Sequence, residues 1–154
     1  MDIQRHAVNR GLWSEGVWVT YTPVDDEPAE FLIAGWLNGE HSRAIGEKML
    51  LVITRHDDES VEQQRSRVAQ AYREAELSTI PGAVLRGWRG ITSGGERVEF
   101  SMETAAQLLD SVPPLQQWVR IQAQRMKNYQ TAAEVELGKS LDRTSPGAPE
   151  SLPT

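Results

Sequence analysis

Three histidines and a few clustered carboxylates are the residues of this chain best suited to chemistry. His6, His41 and His56 lie far apart in sequence. None has a partner at the i, i+4 spacing that places two imidazoles on one helical face for zinc. The run His56-Asp57-Asp58-Glu59 is rich in hard ligands. It lacks the glycine and the alternating ligands of a calcium loop, so it reads as a solvated junction between helices. Gly94-Gly95 is too short to cradle a phosphate, and no lysine follows at the spacing a phosphate loop needs. Ser93 and Ser101 have no histidine near them in sequence. Glu134 and Glu136 are two residues apart and point to different sides of a helix. The sequence therefore gives no catalytic residue, cofactor or metal site, and the expectation is a non-enzymatic protein.

Bulk properties narrow the partners. The chain has 154 residues and a net charge of -6 from 16 basic and 22 acidic residues. Such a balance, without a basic stripe, argues against duplex nucleic acid and against an anionic membrane, where neutralising phosphate dominates binding. Hydrophobic residues make up 39%, enough for one modest core. There are no cysteines, which removes disulfides, thiol catalysis and cysteine-ligated zinc. No apolar run approaches the roughly 20 residues of a membrane span, and Met-Asp-Ile-Gln-Arg-His-Ala-Val lacks the apolar core of a signal peptide. The expected location is a cytoplasm.

The N-terminal third is expected to form a two-stranded antiparallel ribbon. Leu12 to Tyr21 is rich in aromatic and β-branched residues, Pro23 ends it, and Glu30 to Leu37 is the second strand. Trp13, Trp18, Phe31 and Trp36 fall here, either as a small aromatic core or as an exposed patch for a partner. Asn38 or Ser42 could cap a helix reaching about Arg55, although Met49 to Ile53 is apolar nearly all round and leaves a buried strand open. Ser60 with Gln63 has capping-box spacing, and Val61, Val68, Tyr72 and Ala75 mark the buried stripe of a helix to about Leu77. Ser78 or Thr79 opens another helix, with Pro81 in its first turn. Its apolar stripe is Ile80, Val84, Trp88 and Ile91, and it stops at Gly90.

The stretch from Leu85 to Leu115 carries the most punctuation. Ser93-Gly94-Gly95-Glu96 supplies a tight turn between short strands, with Val98 and Phe100 on the apolar face. Ser101 caps a helix whose expected buried face is Met102, Ala105, Ala106, Leu109 and Val112. Pro113-Pro114 stops that helix and opens the next. Leu115, Trp118, Gln122, Met126, Tyr129, Ala133 and Leu137 then recur at helical spacing, which predicts a helix roughly 35 Å long. It either lies along the core or projects to pair with another helix. Trp118, Met126 and Tyr129 are the candidate partner-binding residues of its exposed face. From Gly138 the composition becomes proline-rich and is expected to be a disordered tail. The fold class expected is α+β and mostly helical: an N-terminal two-stranded ribbon, a small central hairpin and a long C-terminal helix. One domain covers residues 1–137, followed by the tail 138–154.

Gly87-Trp88-Arg89-Gly90-Ile91, the turn Gly94-Gly95, and Phe100-Ser101 before a helix form a pattern over roughly Ile80 to Leu137. It resembles the tail assembly chaperones of long-tailed, siphovirus-type bacteriophages, which carry a G-W-x-G-hydrophobic segment, a glycine turn and a polar-aromatic-serine step into a helix. The resemblance implies a protein of the host bacterial cytoplasm that binds the phage tape measure protein and keeps it soluble. It also implies recruitment of the major tail protein and absence from the mature virion. In such phages a ribosomal slip often lengthens the product, and Leu137-Gly138-Lys139 could be encoded by a slippery CUG-GGA-AAG. Two other readings stay open: a permanent tail completion or connector subunit, and a bacterial protein-binding domain of unknown partner. Self-association into a ring is open too, through the ribbon's free edge.

Overall fold

Alternation of apolar and polar residues builds a three-stranded antiparallel sheet at the centre of the molecule. A computed structural model describes residues 1–131 of the chain. Strand β1 (Val17–Tyr21) pairs with β2 (Ala29–Ile33), in the register Val17 to Ile33 and Tyr21 to Ala29. Val19, Tyr21, Phe31 and Ile33 turn toward the core, while Trp18 and Thr20 face outward. The ribbon is therefore present, but its first strand is shorter than expected. A single helical turn at Ile3–His6 (α1) leads to a second short helix at Arg10–Glu15 (α2), capped by Asn9. Gly16, at φ 100, separates α2 from β1. After β2 the chain forms a helical hairpin, α3 (Gly39–Met49) and α4 (Val61–Ser78), the latter the longest described helix.

The third strand is the main departure from the sequence expectation. Residues Leu85–Arg89 form β3, paired antiparallel with β2, where a helix to Gly90 is expected. The helix does not run because Pro81 has ψ 122 and Gly82 has φ 86. Only a distorted turn, α5 (Ile80–Ala83), remains. A bulge between Leu32 and Ile33 explains why the pattern looks helical. Ile33 pairs with Leu85 but Leu32 pairs with Gly87, so Arg86 is the extra residue. Leu85 and Trp88, three apart, thereby both reach the core. Trp88 takes the core role: it is buried, packs edge-to-face on Phe100 and donates its indole N–H to Val98 at 2.8 Å.

Gly94 (φ 59) and Gly95 (φ 85) make the expected hairpin turn between β4 (Thr92–Ser93) and β5 (Glu96–Arg97). Ser101 caps α6 (Met102–Ser111) in a reciprocal box with Thr104. Ala105 and Leu109 are buried as expected, whereas Met102 and Ala106 are exposed, and Leu108 completes the stripe instead. The two prolines open α7 (Pro113–Gln124), whose buried residues are Leu115, Val119 and Ala123. This helix lies along the core. It leaves helical geometry at Arg125 (ψ 101), before a 3-10 turn at Met126–Tyr129. It thus stops well short of residue 137, and the remainder of that expectation, like the tail 138–154, lies outside the described residues.

Between β2 and α3 the chain crosses the interior without regular structure. Gly35 donates its N–H to Trp13, and Trp36 donates to Ala123. Trp13 lies over Gly35, and a Cβ there would fall 2.0 Å from the indole ring. Gly35→Ala is therefore expected to destabilise by about 3 kcal/mol, because the rigid Trp13 indole, packed against Tyr129, must move. Gly46 sits inside α3 with open space around its Cα. Gly46→Ala should stabilise by roughly 0.5–1 kcal/mol through helix propensity alone. Urea unfolding of both variants checks the pair of opposite signs.

Candidate functional site, an apolar trough between two helices

Helix α3 begins at a fully satisfied buried cap. The Asn38 carboxamide oxygen accepts from the Glu40 and His41 amides, and its nitrogen donates to the carbonyls of Gly35 and Ala83. Helix α4 begins with the Ser60–Gln63 capping box read in the sequence. Ile45 and Met49 from α3 meet Ala75 of α4 in a small core of their own, flanked by Val52, Val68 and Ala71. Three fully buried residues are few for two helices, and apolar surface is left uncovered.

That surface forms a continuous trough. Leu37, Ile45 and Met49 line one wall, Val68 and Tyr72 the other, and Ile53 lies where two lobes meet. Its two lobes, of about 560 and 370 Å³, share Ile53, Val68 and Tyr72. Ile53 is 55% exposed, Leu37 44% and Tyr72 40%. Exposed apolar side chains concentrated in one concavity mark a protein-binding surface more often than chance scatter does.

Two polar devices hold the walls in place. His41 is completely buried in the first turn of α3, edge-on to Trp36. Its Nδ1 accepts from the Leu37 amide at 3.0 Å and its Nε2 donates to the Glu76 carbonyl at 3.1 Å. The ring thus ties α3, α4 and the strained Leu37 (φ 58) together. At the other end Arg67 grips the connecting loop. It donates to the carbonyls of Val52 and Thr54, on either side of Ile53, and to both carboxylate oxygens of Glu59 at 2.7 and 3.0 Å. These hydrogen bonds pull the Glu59 carboxyl down to about 2. Glu59 is thereby engaged within the His56–Glu59 run, and among the described residues no three metal-ligating side chains converge.

The three residues expected to bind a partner do not share an exposed face. Tyr129 is fully buried, edge-to-face with Trp13 and donating to the Ile33 carbonyl. Burial pushes its phenol well above the usual range. Trp118 is half-buried against Tyr21 and Phe31. Met126 is exposed. The break at Arg125 rotates the last turn inward, which helical spacing alone does not reveal. The aromatic cluster of the ribbon divides likewise. Phe31 and Trp36 are core, Trp13 packs on Gly35, and Trp18 lies outside beneath the Arg89 guanidinium at 3.8 Å. Among the described residues no helix is long and apolar enough to cross a membrane.

Burial lowers the His41 pKa from 6.5. Protonation would set a proton on Nδ1 against the Leu37 N–H, so the folded state resists it. A lowered folded-state value means the stabilisation is complete above about pH 6.5 and declines as pH falls below it, by at most about 1.4 kcal/mol per pH unit. Thermal unfolding between pH 7.5 and 5 should show this slope, and His41→Gln should flatten it. Arg67→Ala should speed hydrogen exchange of amides in residues 50–59 while leaving α6 and α7 protected.

A family model described as YdaY prophage protein matches residues 38–139 of the 154. The match begins at the Asn38 cap and takes in both walls of the trough apart from Leu37. No curated protein and no solved structure matches the chain.

Proposed function

The chain belongs to the YdaY prophage protein family, and on that premise we propose that it is a phage tail assembly chaperone. It binds the tape measure protein in the host bacterial cytoplasm, keeps it soluble and brings it to major tail subunits. The observation that carries this reading is the open trough between α3 and α4, whose apolar walls suit the apolar face of an amphipathic helix. A tape measure protein presents long apolar helical stripes until a tail tube encloses it. A protein of net charge -6 that covers such stripes also keeps the complex apart from its neighbours by repulsion. The sequence resemblance over Ile80 to Leu137 supports the same reading from a different part of the chain.

Co-expression with the tape measure gene of the same prophage is the test. The tape measure protein should move from the pellet to the supernatant and co-purify with the wild-type chain. Tyr72→Asp and Ile53→Asp, both at exposed positions, should abolish capture with unchanged circular dichroism. Purified tails should lack the protein. A tape measure protein that stays insoluble and unbound overturns the reading. Stoichiometric protein in finished tails favours a permanent structural subunit instead.

A further inference from the structure

The trough is apolar along its floor, but its charged lining is of one sign. Arg65 and Arg73 of α4 are the charged side chains among its lining residues, and no acidic residue joins them. Both are exposed. Among the described residues neither forms an ion pair, so both guanidinium groups remain open to a partner's carboxylates. In a chain with six more acids than bases, the exposed apolar surface of this trough is bordered by positive charge alone. A second cavity, on the other side of α3, has mixed charge. There Glu40 is bonded to Arg86 and Lys48 to Ser78.

From this arrangement we infer that the trough is read by charge: it takes an amphipathic helix whose apolar stripe is flanked by carboxylates. The inference rests on the trough being a docking surface, as proposed above, and adds the chemistry of its occupant. Arg65 and Arg73 are eight residues apart on one helix, a separation of about 12 Å, or slightly over two turns. The partner therefore carries acidic residues about two turns apart on the edge of its stripe, with apolar residues at i, i+3, i+4 and i+7 entering between Met49 and Tyr72. A second copy of this chain fits less well. An antiparallel pairing of two α4 helices centred on Ala69 sets Arg65 of one copy opposite Arg73 of the other, and like charges repel there.

The test uses the full chain and two labelled synthetic helical peptides with the same leucine stripe. One is flanked by glutamates and the other by lysines at the same positions. The glutamate peptide should bind about tenfold or more tightly, because each charge contributes modestly in either direction. Its affinity should fall as salt rises. The double variant Arg65→Glu/Arg73→Glu should reverse the preference, and Tyr72→Asp should weaken both peptides. Equal binding of the two peptides, or no binding of the glutamate peptide, overturns the inference. So does a tighter fit of a synthetic peptide of residues 132–154, or a dimer in sedimentation that Tyr72→Asp dissolves. Because the peptides are not phage proteins, charge-dependent binding without tape measure capture would sink the chaperone reading and leave this inference standing.

Discussion

Five consecutive residues, Ala34 to Asn38, hold the molecule together. They run through the interior outside any helix or strand, so each buried amide must find a partner elsewhere. Ala34 donates to Val84, Gly35 to Trp13, Trp36 to Ala123 and Leu37 to the His41 ring. Asn38 reaches the Ala83 carbonyl with its side chain. The five partners lie in or beside α2, β3, α7, α3 and α5, so one irregular segment fixes five elements relative to each other. Such a junction tolerates little. Gly35 has an indole against its Cα, and Leu37 is held at φ 58, where a leucine is strained.

The trough follows from that constraint. Helix α3 springs from the junction at Asn38, and His41 carries the fixed geometry across to α4 through the Glu76 carbonyl. The near end of the hairpin is thus anchored in the main core. Its far end is held mainly by polar contacts of Arg67, Gln64 and Arg55, since Leu50, Leu51 and Ile53 lie exposed. A hairpin secured at one end, with a core of its own too small to cover both helices, leaves an apolar face available to another helix. The main core needs no such help. It closes between the sheet and helices α6 and α7, with Phe31, Ile33, Leu109 and Val119 nearly sealed from solvent.

Features set by a few neighbouring residues are legible in the amino-acid sequence. Caps at Asn38, Ser60 and Ser101, the Gly94-Gly95 turn and the double proline before α7 all stand where side-chain chemistry puts them. The mixed α and β character and the antiparallel ribbon follow from the same local signals. Long-range choices are not legible there. Val84 and Trp88 are spaced as on a helix, yet Val84 ends the α5 turn and Trp88 lies on a strand whose bulge turns it, with Leu85, into the core. Met126 and Tyr129 continue the α7 pattern, but Tyr129 is drawn inward by Trp13 from the other end of the chain.

The sequence by itself determined the helix caps at Asn38, Ser60 and Ser101, the Gly94-Gly95 turn, the surplus of negative charge and the absence of cysteine chemistry. These depend on residue type and on partners a few positions away. The tertiary structure alone decided that Leu85–Arg89 is a strand, that Tyr129 is core, and that Arg65 and Arg73 flank an open apolar trough. Each of these turns on burial against residues distant in the chain. Periodicity cannot carry that information, because an apolar stripe reads the same whether its own fold or another protein covers it.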